Sequence, residues 1–134
     1  METVMPLVIL EYQMFPRVPR FLINGLAKEL PSIVAAALNV DTVIEAHLQP
    51  SDIKVKVEQF IGDAPNTKEL EVTVWANHFP ERQVNLDERR DAIIEGIKVF
   101  FTRGHLGFQI EFTLSVWVLL APASYGEARI IAPE

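Results

Sequence analysis

MPLVILEY, residues 5–12, is the stretch on which the reading of the chain turns. Its composition is that of a β-strand that begins almost at once. Pro6 cannot donate a ladder hydrogen bond, so it belongs at the first position of that strand or on a sheet edge. Its placement directly after Met5 also poses a chemical question. Inside a peptide chain the proline nitrogen is an amide and has no basicity. At a free amino terminus it is a secondary amine that can take a proton.

Working outward, residues 13–19 (QMFPRVP) read as a loop, and Pro19 is placed to start a helix. Phe21, Leu22, Leu26 and Leu30 then recur at helical spacing. Pro31 interrupts the pattern, while the following SIVAAALNV still favours helix, so a kinked helix or two abutting pieces are expected. Residues 41–52 fit either a short helix or an irregular connection, with a boundary at Pro50, Ser51 and Asp52. IKVKVEQF (53–60) alternates cleanly, with Ile53, Val55 and Val57 on one face and Lys54, Lys56 and Glu58 on the other. GDAPNTKE (62–69) is a turn by composition. LEVTVWAN (70–77) alternates again, directing Leu70, Val72, Val74 and Ala76 to one side.

HFPERQ (78–83) reads as a loop. Asn85 and Glu88 have capping-box spacing, and Arg90, Ile93, Ile94, Ile97, Phe100 and Phe101 form a helical stripe. Gly104 and Gly107 bracket its exit. FQIEFTLSVWVLL (108–120) reads as a long strand with Ile110, Phe112, Leu114, Val116 and Val118 on one face and Trp117 and Leu119 on the other. The order is β-α-β followed by β-α-β. It implies an α+β fold in which two such units form one four-stranded mixed sheet with both helices on one face. Trp75 and Trp117 fall on the other face, and burial against another chain is expected there. A ferredoxin-like domain uses the same element order, and only strand order separates the two.

With 134 residues and 49% apolar content, the chain fits a single domain, 1–134, with a core of its own. Cysteine is absent, which excludes disulfides and thiolate chemistry. A formal charge of −6 argues against a nucleic-acid footprint but leaves room for a small anion focused in a cleft. Phosphate-loop, dinucleotide and HExxH patterns are missing. No secretory or membrane-spanning pattern is read, so a cytoplasmic protein without membrane contact is expected.

The Met-Pro start of MPLVILE, running into two β-α-β units of this size from Met5 to about Tyr125, resembles the tautomerase superfamily. That group includes macrophage migration inhibitory factor, oxalocrotonate tautomerases and carboxymethyl-hydroxymuconate isomerases. The resemblance implies removal of the initiator methionine and a terminal proline acting as general base on an enol or α-keto acid. It also implies a homo-oligomer, most often a trimer, with sites near subunit boundaries and cations holding a substrate carboxylate. No cofactor is needed. An α-amine has a pKa near 8, and an apolar pocket or nearby cations lower it, so that it can accept a proton at neutral pH. The chain departs from the pattern in carrying Met1-Glu2-Thr3-Val4 before Met5. Proline chemistry therefore requires a start at Met5.

Pro6 is the candidate base. Lys54, with Lys56 on the same strand face, is a candidate for the substrate carboxylate; a plain exposed surface shared with Glu58 is the alternative. Arg17, flanking Pro19 with Arg20, is a second candidate anion contact, set against ordinary solubilising charge. Trp117 and Tyr125 are candidates for a pocket wall on a neighbouring chain, or for subunit packing. Arg90 intrudes on the apolar stripe and either meets a carboxylate or snorkels. His47, His78 and His105 lack metal-ligand spacing, so no metal is assigned. Glu11 and Glu111 lie on apolar strands, but no carboxylate pair is placed for acid–base work.

Overall fold

The computed structural model describes residues 6–13, 19–60, 69–103, 112–122 and 128–131. Strand β1 is Leu7–Gln13, β2 is Lys54–Phe60, β3 is Leu70–Asn77 and β4 is Leu114–Ala121. They form one sheet in the order β2-β1-β3-β4. β1 runs parallel to β2 and antiparallel to β3, and β3 runs parallel to β4. The sheet is therefore mixed, and each β-α-β unit has its two strands side by side. A split β-α-β arrangement would place another strand between them. That disposes of the ferredoxin-like alternative.

The alternation in β1 sets the two faces of the sheet. Val8, Leu10 and Tyr12 are buried, while Leu7, Ile9, Glu11 and Gln13 are only half-buried. The buried set lies in register with Val55 and Val57 of β2 and with Val74, Val72 and Leu70 of β3. Helix α1, Arg20–Leu38, lays Leu22, Ile23, Leu26, Leu30, Val34 and Leu38 into this core. By length and apolarity α1 could cross a membrane, but here its stripe is buried as that of a core helix. Pro19 is its N-cap, and Pro31 sits inside one continuous helix rather than between two pieces. Flanking anchors at Leu30 and Val34, both fully buried, hold the turn that lacks the proline's hydrogen bond.

The second helical segment differs from the sequence reading at its start. Pro80–Gln83 is one helical turn, α2, where a loop was expected; Pro80 stands at a position that tolerates a missing N–H. Helix α3, Leu86–Arg103, follows and buries Ile93 and Ile97. Residues 41–52 contain two short 3-10 turns, Ile44–Ala46 and Pro50–Asp52. Phe112 and Thr113 precede β4 instead of belonging to it, so the last strand begins later than the apolar run suggested. The turn at 62–69 and the exit bracketed by Gly104 and Gly107 lie outside the described residues, apart from Glu69.

α1 and α3 approach closely through reciprocal glycines. A Cβ on Gly96 would stand 2.7 Å from Ile33 Cγ2, and one on Gly25 would stand 3.1 Å from the tip of Phe100. Each helix thus offers a gap that a large side chain of the other fills. The end of α1 is held by arginines from α2 and α3, since α1 has no basic residue in its own last turn. Arg82 is 2% exposed. Its Nε donates to Leu38 O at 2.9 Å, Nη1 to Asn77 O at 3.0 Å and Nη2 to Ala46 O at 3.2 Å. Arg89 Nη1 donates to Ala37 O at 2.9 Å and Asn39 O at 3.1 Å. Two guanidinium groups therefore meet the negative end of the helix dipole and its unpaired carbonyls. Burial, with Arg89 nearby, lowers the Arg82 pKa to about 10, which leaves it charged at neutral pH.

Arg82→Met should leave these carbonyls without their donors and destabilise the fold by about 3 kcal/mol or more in urea unfolding. Gly96→Ala should cost about 1–3 kcal/mol despite the better helix propensity of alanine. Adding Ile33→Ala should then cost less than it does in the wild type, because the clash is gone. Additive losses in the double variant would contradict the reciprocal packing.

Candidate functional site

Pro6 is buried and stands one residue before β1. Its carbonyl oxygen accepts a hydrogen bond from Lys54 N at 3.1 Å. The next residue, Leu7, pairs with Lys54 on one side and Trp75 on the other, and Trp75 pairs with Leu119. Because β1 and β2 start where β3 and β4 end, Pro6 lies at the end of the sheet formed by Lys54, Trp75–Asn77 and Leu119–Ala121. The backbone closes this end, with His78 N donating to Ala121 O at 3.1 Å.

The predicted residues are distributed unevenly around this end. Lys54 adjoins Pro6 through the backbone, and its side chain is exposed. Lys56 lies two residues further along β2, where its Nζ is 3.0 Å from Glu58 Oε1. Trp117 shares a cross-sheet row with Thr73, Ile9 and Lys56. β2 and β4 are the two edges of the sheet, three strand spacings or about 14 Å apart. One chain therefore does not bring Trp117 to Lys54. Arg17, Tyr125, His105 and Glu111 lie outside the described residues. Arg90 is half-buried and pairs with Asp87 at 3.3 Å and Asp91 at 3.0 Å.

The face turned away from the helices is built in rows. The first carries Lys54, Leu7, Trp75 and Leu119; the second carries Lys56, Ile9, Thr73 and Trp117. The third carries Glu58, Glu11, Glu71 and Ser115. Trp75 is 44% and Trp117 56% exposed, and Leu7, Ile9 and Leu119 are half-buried between them. Trp117 Nε1 donates to Glu71 Oε1 at 2.9 Å. Partial burial, then Glu71 and Glu58, raise the Glu11 pKa above the ordinary glutamate value.

Glu11 is visible in the sequence but the carboxylate row is not, because the row exists only in the register of three strands. Arg82 also escaped it, since a residue taken for a loop gives no reason to expect burial. Proline at the first helical position with Glu81 in the first turn was the available signal. Beside β4, Leu86, Asp87, Arg90, Ser115, Val116, Trp117 and Val118 line a groove of about 330 Å³. Ile94, Ile97, Phe101, Phe112 and Leu114 are among the residues lining an apolar hollow of about 480 Å³ between α3 and β4.

No protein-family model and no curated protein sequence matches the chain. Solved structures do match it in architecture. A 5-carboxymethyl-2-hydroxymuconate isomerase from Deinococcus radiodurans R1 is 12% identical with a TM-score of 0.57, over 95% of this chain and 92% of that one. A malonate semialdehyde decarboxylase is 14% identical with a TM-score of 0.55, over 92% of each chain. A macrophage migration inhibitory factor-like protein from Entamoeba histolytica is 8% identical with a TM-score of 0.54, over 92% of this chain and 95% of that one. At such identities the likeness is one of fold, and the fold of this chain is the one these solved structures share.

Proposed function

We propose that the chain is a tautomerase-like enzyme in which Pro6, once the residues before it are absent, is the general base. The observation that carries the reading is the position of Pro6, buried at the head of the central strand β1 in this fold. A free secondary amine in such surroundings is disfavoured as the ammonium ion, so its pKa falls toward neutrality. It takes a proton from one carbon of an enol or α-keto acid and returns it to another. Lys54, adjoining Pro6, and Arg17 supply positive charge for the substrate carboxylate and the developing dienolate, with Lys56 further along the strand. The malonate semialdehyde decarboxylase that shares the fold has been solved with its first-residue proline replaced by alanine and in an inactivated form.

The assembly is a homo-oligomer, a trimer in this reading, located in the cytoplasm. The exposed tryptophans favour it, as does the width of the sheet between Lys54 and Trp117. A neighbouring chain then supplies Trp117 and Tyr125 as the apolar wall near Pro6. The same exposed face favours a second reading, a non-catalytic protein of this fold that assembles or binds a small ligand. It applies where Pro6 stays within a peptide bond.

Intact-mass measurement on protein made from its native gene context distinguishes the two. A chain beginning at Pro6 should turn over small enol or α-keto acids, and Pro6→Ala should lower the rate about 10²–10⁴-fold. A chain that retains Met1 and still catalyses proton transfer at full rate would contradict the proline mechanism.

A further inference from the structure

Glu11 occupies the middle of the open sheet face, in register with Glu58 on β2 and Glu71 on β3. Among the described residues, the other charged groups facing it are few. On β2, Lys56 is engaged by Glu58 at 3.0 Å. On β3, Glu71 accepts from Trp117 Nε1 at 2.9 Å, and Glu69, one row further, accepts from Thr113 N at 3.1 Å. β4 contributes Ser115 and Trp117, neither of which titrates here. Among the described residues, the Glu11 carboxylate has no hydrogen bond or ion pair, while its backbone is paired in the sheet on both sides. Nor do any three carboxylate or imidazole groups there converge to hold a metal ion.

We propose that covering this face with a second copy of the chain is coupled to proton uptake at Glu11, so that the assembly tightens as pH falls. The inference rests on the homo-oligomer reading above and adds its regulation. The occupant follows from the chemistry of the face. Carboxylates and a net charge of −6 repel nucleic acid and anionic lipid surfaces. A Trp-Leu-Ile patch beside a row of charged groups has the mixed composition of a protein interface. The β2 edge, with Lys54 and Lys56 followed by Glu58, is complementary in charge to a rotated copy of itself, and Glu11 lies one strand inward of it. Glu58 and Glu71 enter such an interface already partnered. Glu11 enters it between two like charges, and a buried unpaired carboxylate is far more costly than a protonated one.

The sign follows by linkage. Burial and the neighbouring carboxylates already favour the protonated form of Glu11 in the free chain, and further burial favours it more. The assembled state thus binds more protons than the free chains over the interval between the two pKa values. Association strengthens as pH falls through that interval and levels off below the pKa of the free chain.

Sedimentation velocity of the full chain from about pH 5 to about pH 8.5, at constant ionic strength, tests this. The wild type should lose affinity by about tenfold per pH unit for each proton released. Glu11→Gln should assemble more tightly near neutral pH and lose most of that dependence. Glu95→Gln, on the exposed outer side of α3, removes the same charge and should behave as wild type. Assembly independent of pH would overturn the proposal while leaving the covered face intact. Weaker assembly of Glu11→Gln would overturn it by showing that a neighbour's cation pairs with the carboxylate. Equal effects of Glu11→Gln and Glu95→Gln would reduce it to net charge. A monomer at every pH would remove the covered face as well.

Discussion

The position of β1 between a parallel and an antiparallel neighbour is the constraint on which the rest of the molecule depends. One strand thereby fixes the register of β2 and β3 together, and a slip of one residue would exchange its two faces. Val8, Leu10 and Tyr12 point toward the helices and secure that choice. The same choice leaves Leu7, Ile9 and Glu11 on the opposite face and brings Pro6 to the end where β3 and β4 finish. Core, candidate base and open surface are consequences of one alternation.

Helix placement is reinforced by interactions of short reach and high specificity. Gly25 and Gly96 admit Phe100 and Ile33 at the α1–α3 crossing. Arg82 joins the end of α1, the connection at Ala46 and the end of β3 through three carbonyls. The exposed ion pairs of Arg90, Lys98 and Arg103 are of the kind that contributes little to stability. A buried guanidinium satisfied by backbone is a different matter, because removing it leaves polar groups stranded in the core.

Much of this architecture was legible in the sequence, because it rests on period. The two-residue alternation at 53–60 and 70–77 and the helical spacing of Leu22, Leu26 and Leu30 correspond to real elements. Pro31 misleads only in part, since tertiary anchors on either side keep the helix whole. What could not be read depends on pairing. Strand order decides between two folds with one element order, and register decides that Glu58, Glu11 and Glu71 form a row. The separation of Trp117 from Lys54 by the width of the sheet is likewise a property of topology. Arg82 was hidden because PERQ carries too few residues to show a period.

Both tryptophans of the chain, Trp75 and Trp117, lie on the open face, so their fluorescence reports directly on whether that face is covered. The decisive measurement is acrylamide quenching as a function of protein concentration at a fixed pH near neutrality. The tryptophans should be protected at high concentration and become more accessible on dilution, in step with dissociation. Tryptophans fully accessible at every concentration would contradict a face built to be covered, and with it the assembly in which Pro6 and a neighbouring chain form one site.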